Sequence, residues 1–464
     1  MNASSGRPRI TAELIRKYDR PGPRYTSYPT AVEFSPSYGA QDYLADLERA
    51  DAEPDEPFSL YFHLPFCQAR CAFCACNVII TRRHEVSTRY LRGLEREMDL
   101  IARRIPRRRK VAQLHWGGGT PTFQTPEELR GLFHAVRRHF EILPGAEVAV
   151  EVDPCVTTEE HMRALRELGF NRLSMGVQDL TPEVQREIRR DQTAEETARL
   201  FEWARRLGFE SINIDLIYGL PRQTVEAFER NLERLIGLRP ERVALYSFAY
   251  LPWMKHNQTL IDPALLPSPQ AKLEIFVRAM ERFLEAGYRK IGMDHFAVPE
   301  DELARALDSR RLHRNFMGYT VRPTNATLGF GLSSIGELQG NSVQNTKKLS
   351  RYWAALDAGR PATERGYRMT PEDRVRRDVI LGIMCNFFVD FAEIESRHGI
   401  EAETYFAAER PELDELERSD LIRREGKKLY VSELGQFFVR NVAMVFDAHL
   451  RRPREGAPHF SRTV

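Results

Sequence analysis

From about residue 58 onward the chain alternates short apolar, β-rich runs with longer amphipathic charged stretches. The runs are SLYFHL (59–64), VAQLHWGGG (111–119), AEVAVEVDP (146–154), NRLSMGVQ (171–178), SINIDLIYGLP (211–221) and RVALYSFAY (242–250). Between them lie 87–105, 125–140, 158–170, 194–209 and 224–238, whose apolar positions recur at helical spacing. Strand followed by helix, repeated, predicts parallel strands covered by helices. Each strand ends in polar or glycine residues: GGGTP after the second, Glu151 and Asp153 in the third, Gln178 and Asp179 in the fourth, Asp215 in the fifth. Polar groups spread over successive strand ends suit a barrel; an open doubly wound sheet gathers them at one switch point. The expected fold class is α/β, a partial (β/α)6 barrel.

The flanks read differently. Residues 1–57 form an arm rich in Pro and Tyr, centred on RPGPRYTSYPTAVEFS, and predict an extended, irregular lead-in. Past residue 260, 268–288 predicts a helix, and the Gly- and Asn-rich 313–341 predicts loop. The barrel with this extension is expected over 58–365. Residues 366–464 predict a smaller, mostly helical domain, ending in a hairpin and a helix as in a winged helix.

Composition narrows the function. The chain has 464 residues, 42% hydrophobic and 29% charged, with net charge +2, which gives no sign of a nucleic-acid binder. The polar N-terminus lacks the apolar core of a signal peptide, and no run of about 18 apolar residues predicts a membrane span. A cytoplasmic protein with reduced thiols is expected. Against that background six cysteines are few, yet four of them, Cys67, Cys71, Cys74 and Cys76, share one short stretch. Three thiolates at C-x3-C-x2-C spacing can hold three corners of a cubic iron–sulfur cluster and leave one iron open. A structural zinc site is the rival, although no second CxxC or HxxxH pair is present; a disulfide is a poor third.

This spacing after a first barrel strand resembles the radical S-adenosylmethionine (SAM) superfamily. The resemblance implies a [4Fe-4S] cluster whose open iron chelates SAM and yields a 5′-deoxyadenosyl radical. PGPRYTSYPT, CAFCACN, LHWGGGTPT, GVQD, NIDLIYGLP and MDHFA together resemble the oxygen-independent coproporphyrinogen III oxidase family over nearly the whole chain. That resemblance implies Cys67, Cys71 and Cys74 as cluster ligands and Cys76 as a non-ligating cysteine associated with activity. It implies contacts to two SAM molecules by Tyr61, Phe73, Gly118, Gly119, Thr120, Glu151, Gln178, Arg190, Asp215, Ala249 and Ile335. It implies coproporphyrinogen III as substrate, two of its propionates becoming vinyls to give protoporphyrinogen IX in haem biosynthesis. A reducing electron donor, a separate electron acceptor, a monomer and no nucleic-acid partner follow. The family usually has Gly at position 75, here Ala, and Asn-Arg where this chain has Arg189-Arg190. A haem-binding chaperone relative, or another radical SAM enzyme acting on a tetrapyrrole, is the alternative. Arg24, in the arm, is expected to help cover the tetracarboxylate. Cys155 and Cys385 receive no role.

Overall fold

The computed structural model describes residues 11–452 and 460–463. The first ten residues of the expected arm, and 453–459 and 464 of the expected C-terminal domain, lie outside the described residues. Six strands, β1 (Phe58–Leu64), β2 (Lys110–Gly118), β3 (Glu141–Val152), β4 (Arg172–Gln178), β5 (Ser211–Tyr218) and β6 (Arg242–Ser247), pair in sequence order, every pair parallel. Between them run α1 (His84–Ala102), α2 (Pro126–His139), α3 (Glu159–Leu168), α4 (Ala194–Arg206) and α5 (Val225–Leu238).

Local chemistry fixes these helices. Thr125 caps α2 and Thr193 caps α4, each in a capping box whose third residue is Glu128 or Glu196. Gly169, at φ +100°, ends α3 in the left-handed conformation that costs glycine least. The helices bury one face: α2 contributes Leu129, Leu132, Phe133 and Val136. Phe133 and Phe170 close around the fully buried Trp116 of β2.

Along β4, Leu173, Met175 and Val177 are buried, whereas Arg172, Ser174, Gly176 and Gln178 stay partly accessible. Successive side chains of a strand point to opposite faces. The apolar set therefore meets the helices, and the polar set faces the inside of the barrel. An ordinary eight-stranded barrel fills that space with branched apolar side chains; here it is polar and partly open.

The barrel does not close. Beyond β6 lie the antiparallel β7 (Arg289–Gly292) and β8 (His295–Ala297). On the other side of β1 lies the parallel β9 (Thr327–Phe330), followed by antiparallel β10 (Ile335–Leu338), β11 (Asn341–Asn345) and β12 (Thr363–Tyr367). The result is one 12-stranded sheet, ordered β12-β11-β10-β9-β1-β2-β3-β4-β5-β6-β8-β7. Much of 313–341, expected as loop, is thus strand. Its glycines permit close backbone approach: a Cβ on Gly329 would stand 2.7 Å from the Ile335 carbonyl oxygen. The pairing partners, not local propensity, make these residues strands.

The C-terminal part begins with α7 (Pro371–Asn386); α6 (Pro269–Glu285) is the helix expected near 268–288. A three-stranded sheet of β13 (Phe388–Asp390), β15 (Lys428–Val431) and β14 (Ile422–Glu425) follows, with helices Phe391–His398 and Arg410–Arg418 between. This is the expected winged-helix-like arrangement. Its core also takes in Tyr18, Tyr25 and Tyr28 from the arm.

The arm is more ordered than its composition predicts. Ala40–Ala50 is a helix that buries Tyr43, Asp46, Leu47 and Ala50. Pro21 and Arg462 form an antiparallel bridge. Arg440 donates to the Pro23 and Arg462 carbonyls, both at 2.9 Å.

One buried acid gives this fold a pH signature. Glu97 of α1 accepts hydrogen bonds from the Tyr352 hydroxyl at 2.7 Å, the Gly331 N–H at 2.7 Å and the Asn345 amide at 2.6 Å. Burial pushes its carboxyl up from 4.5 to about 7, although the donors oppose the shift. The folded state therefore holds this proton more tightly than the unfolded chain. The stabilisation is complete below about pH 4.5 and lost as pH rises through about 7. Across that window the native protein is expected to lose on the order of 3 kcal/mol relative to Glu97→Gln. Denaturant unfolding of both at a series of pH values measures it; a constant difference would mean that Glu97 is ionised throughout.

Candidate active site

The thiol loop follows β1. Cys67 pairs with Ile80 in a two-residue parallel ladder, and its Sγ lies 3.5 Å from the Thr120 hydroxyl. Cys67, Cys71 and Cys74 are half-buried and free, and Cys76 is exposed. A hydrogen bond from the Cys76 thiol pulls Cys74 toward its thiolate and pushes Cys76 up. Burial raises Cys67 to about 11 and also raises Cys71, but the Arg190 guanidinium, 3.7 Å from the Cys71 Sγ, opposes the second shift. Among the described residues no three His, Cys, Asp or Glu side chains converge on a single-ion site. Cys71 and Cys74 nonetheless lie close enough to Cys67 for their charge to raise it, and Cys74 does the same to Cys71. Three neighbouring thiols on one loop, with cations beside two of them, fit a cluster held at three corners.

A segment far away in sequence holds this loop. Asn257 donates to the carbonyls of Cys71 at 3.3 Å, Ala72 at 2.9 Å and Cys74 at 3.0 Å. Gln258 donates to Phe73 at 3.1 Å and to Ala249 at 3.0 Å. Lys255 reaches the Ala75 carbonyl. Asn257→Ala removes this donor from three carbonyls, and only that of Cys71 keeps another, the Cys74 N–H at 3.2 Å, at a cost of about 1–3 kcal/mol. We expect reconstituted Asn257→Ala to lose iron on gel filtration faster than the native protein. Equal retention would show that the loop holds its shape without the clamp.

The inner wall continues from β1 to β5. Tyr61 stacks on His115 with ring centroids 5.9 Å apart, and its hydroxyl meets His63 Nδ1 at 3.0 Å. Glu151 accepts from His115 at 3.1 Å and from the Gly118 N–H at 3.0 Å. Burial works to raise its carboxyl, but His115 and Gly118 outweigh it and hold the group below its ordinary value. Across the lumen Ser174 donates to Asp215 at 3.1 Å and Asn213 donates at 2.8 Å. Burial, reinforced by Glu151, lifts Asp215 to about 6 despite these donors. Between the two carboxylates, Gln178 at φ +67° folds its side chain over Gly176.

Of the adjacent Arg189 and Arg190, the second is the one that turns inward to the thiol loop. It is buried and pairs with Asp153 at 3.0 Å, the Gly176 carbonyl at 2.7 Å and Gln192 at 2.8 Å, while Arg189 is exposed. Gly118, at φ +115°, lies against the His63 ring, and a Cβ there would come within 2.5 Å of it. The amides of the glycine loop are already used: Gly119 donates to Leu64 and Thr120 to Phe66, besides Gly118 to Glu151. Phe73 packs beside Ala72, Ile188 and Phe248. Ala249 follows β6 and supplies a carbonyl to Gln258. Ile335 opens β10 beside Gly329, which pairs with Tyr61.

Two expectations need correction. Asp179 is not a lumen residue: it is fully buried and bound by Gln223 at 2.7 Å, Asn231 at 2.9 Å and the Thr181 N–H at 2.6 Å. The turn after β4 directs it into the helical layer. Arg24 is not a free cover: it pairs with Asp294 and lies 5.4 Å from the Tyr246 ring centroid. His63, His115, Ser174, Asn213, Asn257 and Gln258 were missed. Asn213 was within reach, because it shares the inward phase of β5 with Asp215.

An inward-facing polar lumen beside three thiols defines a radical SAM protein, and residues 61–235 match the Radical SAM superfamily model. Residues 369–438 match the HemN C-terminal domain. The oxygen-independent coproporphyrinogen III oxidase of Pseudomonas aeruginosa is 43% identical over 98% of this chain and 99% of its own. Its namesake from Escherichia coli is 43% identical over 97% and 98%. The solved structure of the Escherichia coli enzyme, described as a radical SAM enzyme, superposes with TM-score 0.90 at 41% identity, covering 96% of this chain and 100% of that one. The chain belongs to the oxygen-independent coproporphyrinogen III oxidase family.

Proposed function

We propose that this chain removes carbon dioxide from two propionates of coproporphyrinogen III, leaving vinyl groups and giving protoporphyrinogen IX. The observation that carries the reading is the three-thiol loop set at the mouth of a polar, partly open lumen, in a chain whose relatives bear that name. Cys67, Cys71 and Cys74 hold the cluster. When bound there with SAM, the cluster would supply the one-electron reduction that radical chemistry on the propionate needs.

The chain's own residues position and enclose. Tyr61, Phe73, Gly118, Gly119, Thr120, Glu151, Gln178, Arg190, Asp215, Ala249 and Ile335 together contact the two SAM molecules that the reading requires. Glu151 stays ionised and accepts hydrogen bonds from an ammonium or ribose. Asp215, ionised above about pH 6, does the same across the lumen. Cys76, exposed next to Cys74 on the thiol loop, serves activity without holding the cluster. The arm, latched at Arg24–Asp294, helps keep water from the radical. The reducing donor and the final acceptor are separate molecules. The boundaries near residues 57 and 365 mark the arm, the catalytic barrel and the C-terminal domain, and the enzyme acts as a cytoplasmic monomer.

The test is anaerobic turnover of coproporphyrinogen III with reductant, SAM and an electron acceptor, products weighed as oxidised porphyrins. Loss of two carboxyl groups as vinyls is expected. Intact substrate with SAM still cleaved would assign a different tetrapyrrole reaction, and intact substrate with tight haem binding a chaperone.

A further inference from the structure

A cavity of about 910 Å³ lies at the end of the barrel away from the thiols. Thr327, at the start of β9, lines it and pairs with Ser59 near the start of β1. Asn315, also in its wall, donates to Gln113 near the start of β2 at 3.0 Å. The thiol loop follows the far end of β1, a strand of 7 residues and so roughly 20 Å long at 3.3 Å per residue. The other walls come from the arm at Thr26, Ser27 and Tyr28 and from α7 and β13. Leu312, Leu381, Phe388 and Val389 make part of this surface apolar. The volume is that of a site for a cofactor-sized ligand.

Five arginines face the cavity. Arg377 is neutralised by Glu337 at 2.8 Å and Arg397 by Asp378 at 2.9 Å. Asp390, near Lys428 at 4.0 Å, and Glu393 also line it. Arg310, Arg314 and Arg374 have no carboxylate partner among the described residues. Arg310 lies 3.8 Å from the Phe388 ring centroid, and the Arg374 side chain donates to the Gln339 carbonyl at 3.2 Å.

Arg314 stands apart from the others. Its Nε and Nη1 are shut off from solvent and meet no hydrogen-bond acceptor among the described residues. Its guanidinium lies 4.7 Å from the Tyr319 ring centroid, and its charge reaches His295 of β8 and Tyr246 of β6. His295 meets Tyr246 and Tyr319 edge-on, at 5.9 and 5.1 Å. Tyr246 in turn feels the charge of Asp215 on the inner wall. Arg314 therefore stands where the cavity meets the lumen. Asp294, next to His295 in the chain, is already held by Arg24. A guanidinium keeps its charge, and holding that charge buried without acceptors is costly. Such a group is completed by an anion that arrives with a ligand, and its planar fork suits a carboxylate.

We propose that this cavity seats the part of the tetrapyrrole that does not react. Arg314 binds one of the two propionate carboxylates that survive in the product, and Arg310 and Arg374 bind the other. The reacting propionates then point along the lumen toward the thiols. No bond is made or broken in the cavity. The proposal rests on the coproporphyrinogen reading for the identity of the ligand, but binding is measured apart from turnover.

The experiment uses the full chain. Coproporphyrin III and protoporphyrin IX, the stable oxidised forms of substrate and product, are titrated by fluorescence across a salt series. The variants are Arg314→Leu, the conservative Arg314→Lys and, elsewhere in the cavity, Arg374→Gln. We expect one-to-one binding that weakens with salt. Arg314→Leu is expected to raise the dissociation constant about tenfold for both porphyrins, since both carry the surviving propionates. Arg314→Lys should recover much of that loss, and Arg374→Gln should weaken both porphyrins less. Without ligand, Arg314→Leu should melt no lower than the native protein, because it gives up a buried charge that has no partner. In anaerobic turnover its KM for coproporphyrinogen III should rise about tenfold with a smaller change in kcat. Native affinity in both Arg314→Leu and Arg374→Gln would overturn the proposal. So would a loss confined to coproporphyrin III, which would place a reacting propionate at Arg314. An Arg314→Leu chain that melts early or does not fold would make the guanidinium structural, and the proposal would fall. A chain that binds both porphyrins through Arg314 but leaves coproporphyrinogen III intact would fail the catalytic reading alone.

Discussion

Cys74→Ala is expected to fold, to purify without a stable cluster and to have no measurable turnover. Two thiolates on a short loop cannot replace three, since each thiolate occupies one iron corner and the fourth iron is reserved for SAM. The fold should survive. The loop carbonyls stay bonded to Asn257 and Gln258, and Cys74 is only half-buried. Cys385→Ala is the fitting contrast: that thiol is buried in a separate apolar cluster with Ile291 and Leu303, so its loss affects packing and not iron. Iron and sulfide per chain, with the visible absorption of the reconstituted protein, separate the two. Full iron content in Cys74→Ala would exclude it as a ligand.

Arg190→Ala is expected to be the most damaging change away from the thiols. The guanidinium joins Asp153, the Gly176 carbonyl, Gln192 and Cys71 in a buried network. Removing it leaves a partly buried carboxylate and several acceptors unpaired, which costs about 3–5 kcal/mol by the usual price of breaking a buried pair. Turnover should fall further than stability, because the Gly176 carbonyl and the Cys71 corner lose their common support. Arg189→Ala, one residue earlier and exposed, should stay within about 0.5 kcal/mol of the native protein. Denaturant unfolding and anaerobic turnover of the two variants decide it. Equal effects would mean that the guanidinium does not anchor the wall.

The barrel was legible because its signal is local. Strands such as RLSMGVQ alternate apolar and polar residues with period two, and the helices between carry their own caps. Once the elements are known, the rule that sequential parallel strands lie side by side supplies most of the topology. The thiol loop was legible because its ligands fall within eight residues, so spacing alone describes their geometry. β9, β10 and β11 were not legible. They are short and glycine-containing, and become strands only because the open side of β1 offers a partner. The ordered arm was hidden for a related reason. Tyr18, Tyr25 and Tyr28 look like lead-in residues until the C-terminal core is folded against them.

The sequence by itself determined the parallel α/β class, the grouping of three thiols on one loop and the inward polar phase of β3, β4 and β5. Each depends on residues near one another in the chain. Only the tertiary structure decided that Arg190, not Arg189, enters the wall, and that Asp179 turns away from the lumen. Only it showed Arg24 latched to Asp294. It alone brought Asn257 to the loop, 186 residues from Cys71. These outcomes depend on which surfaces meet when distant segments pack. A buried charge or amide takes the partner that packing delivers, because burial without one costs more than any local preference returns.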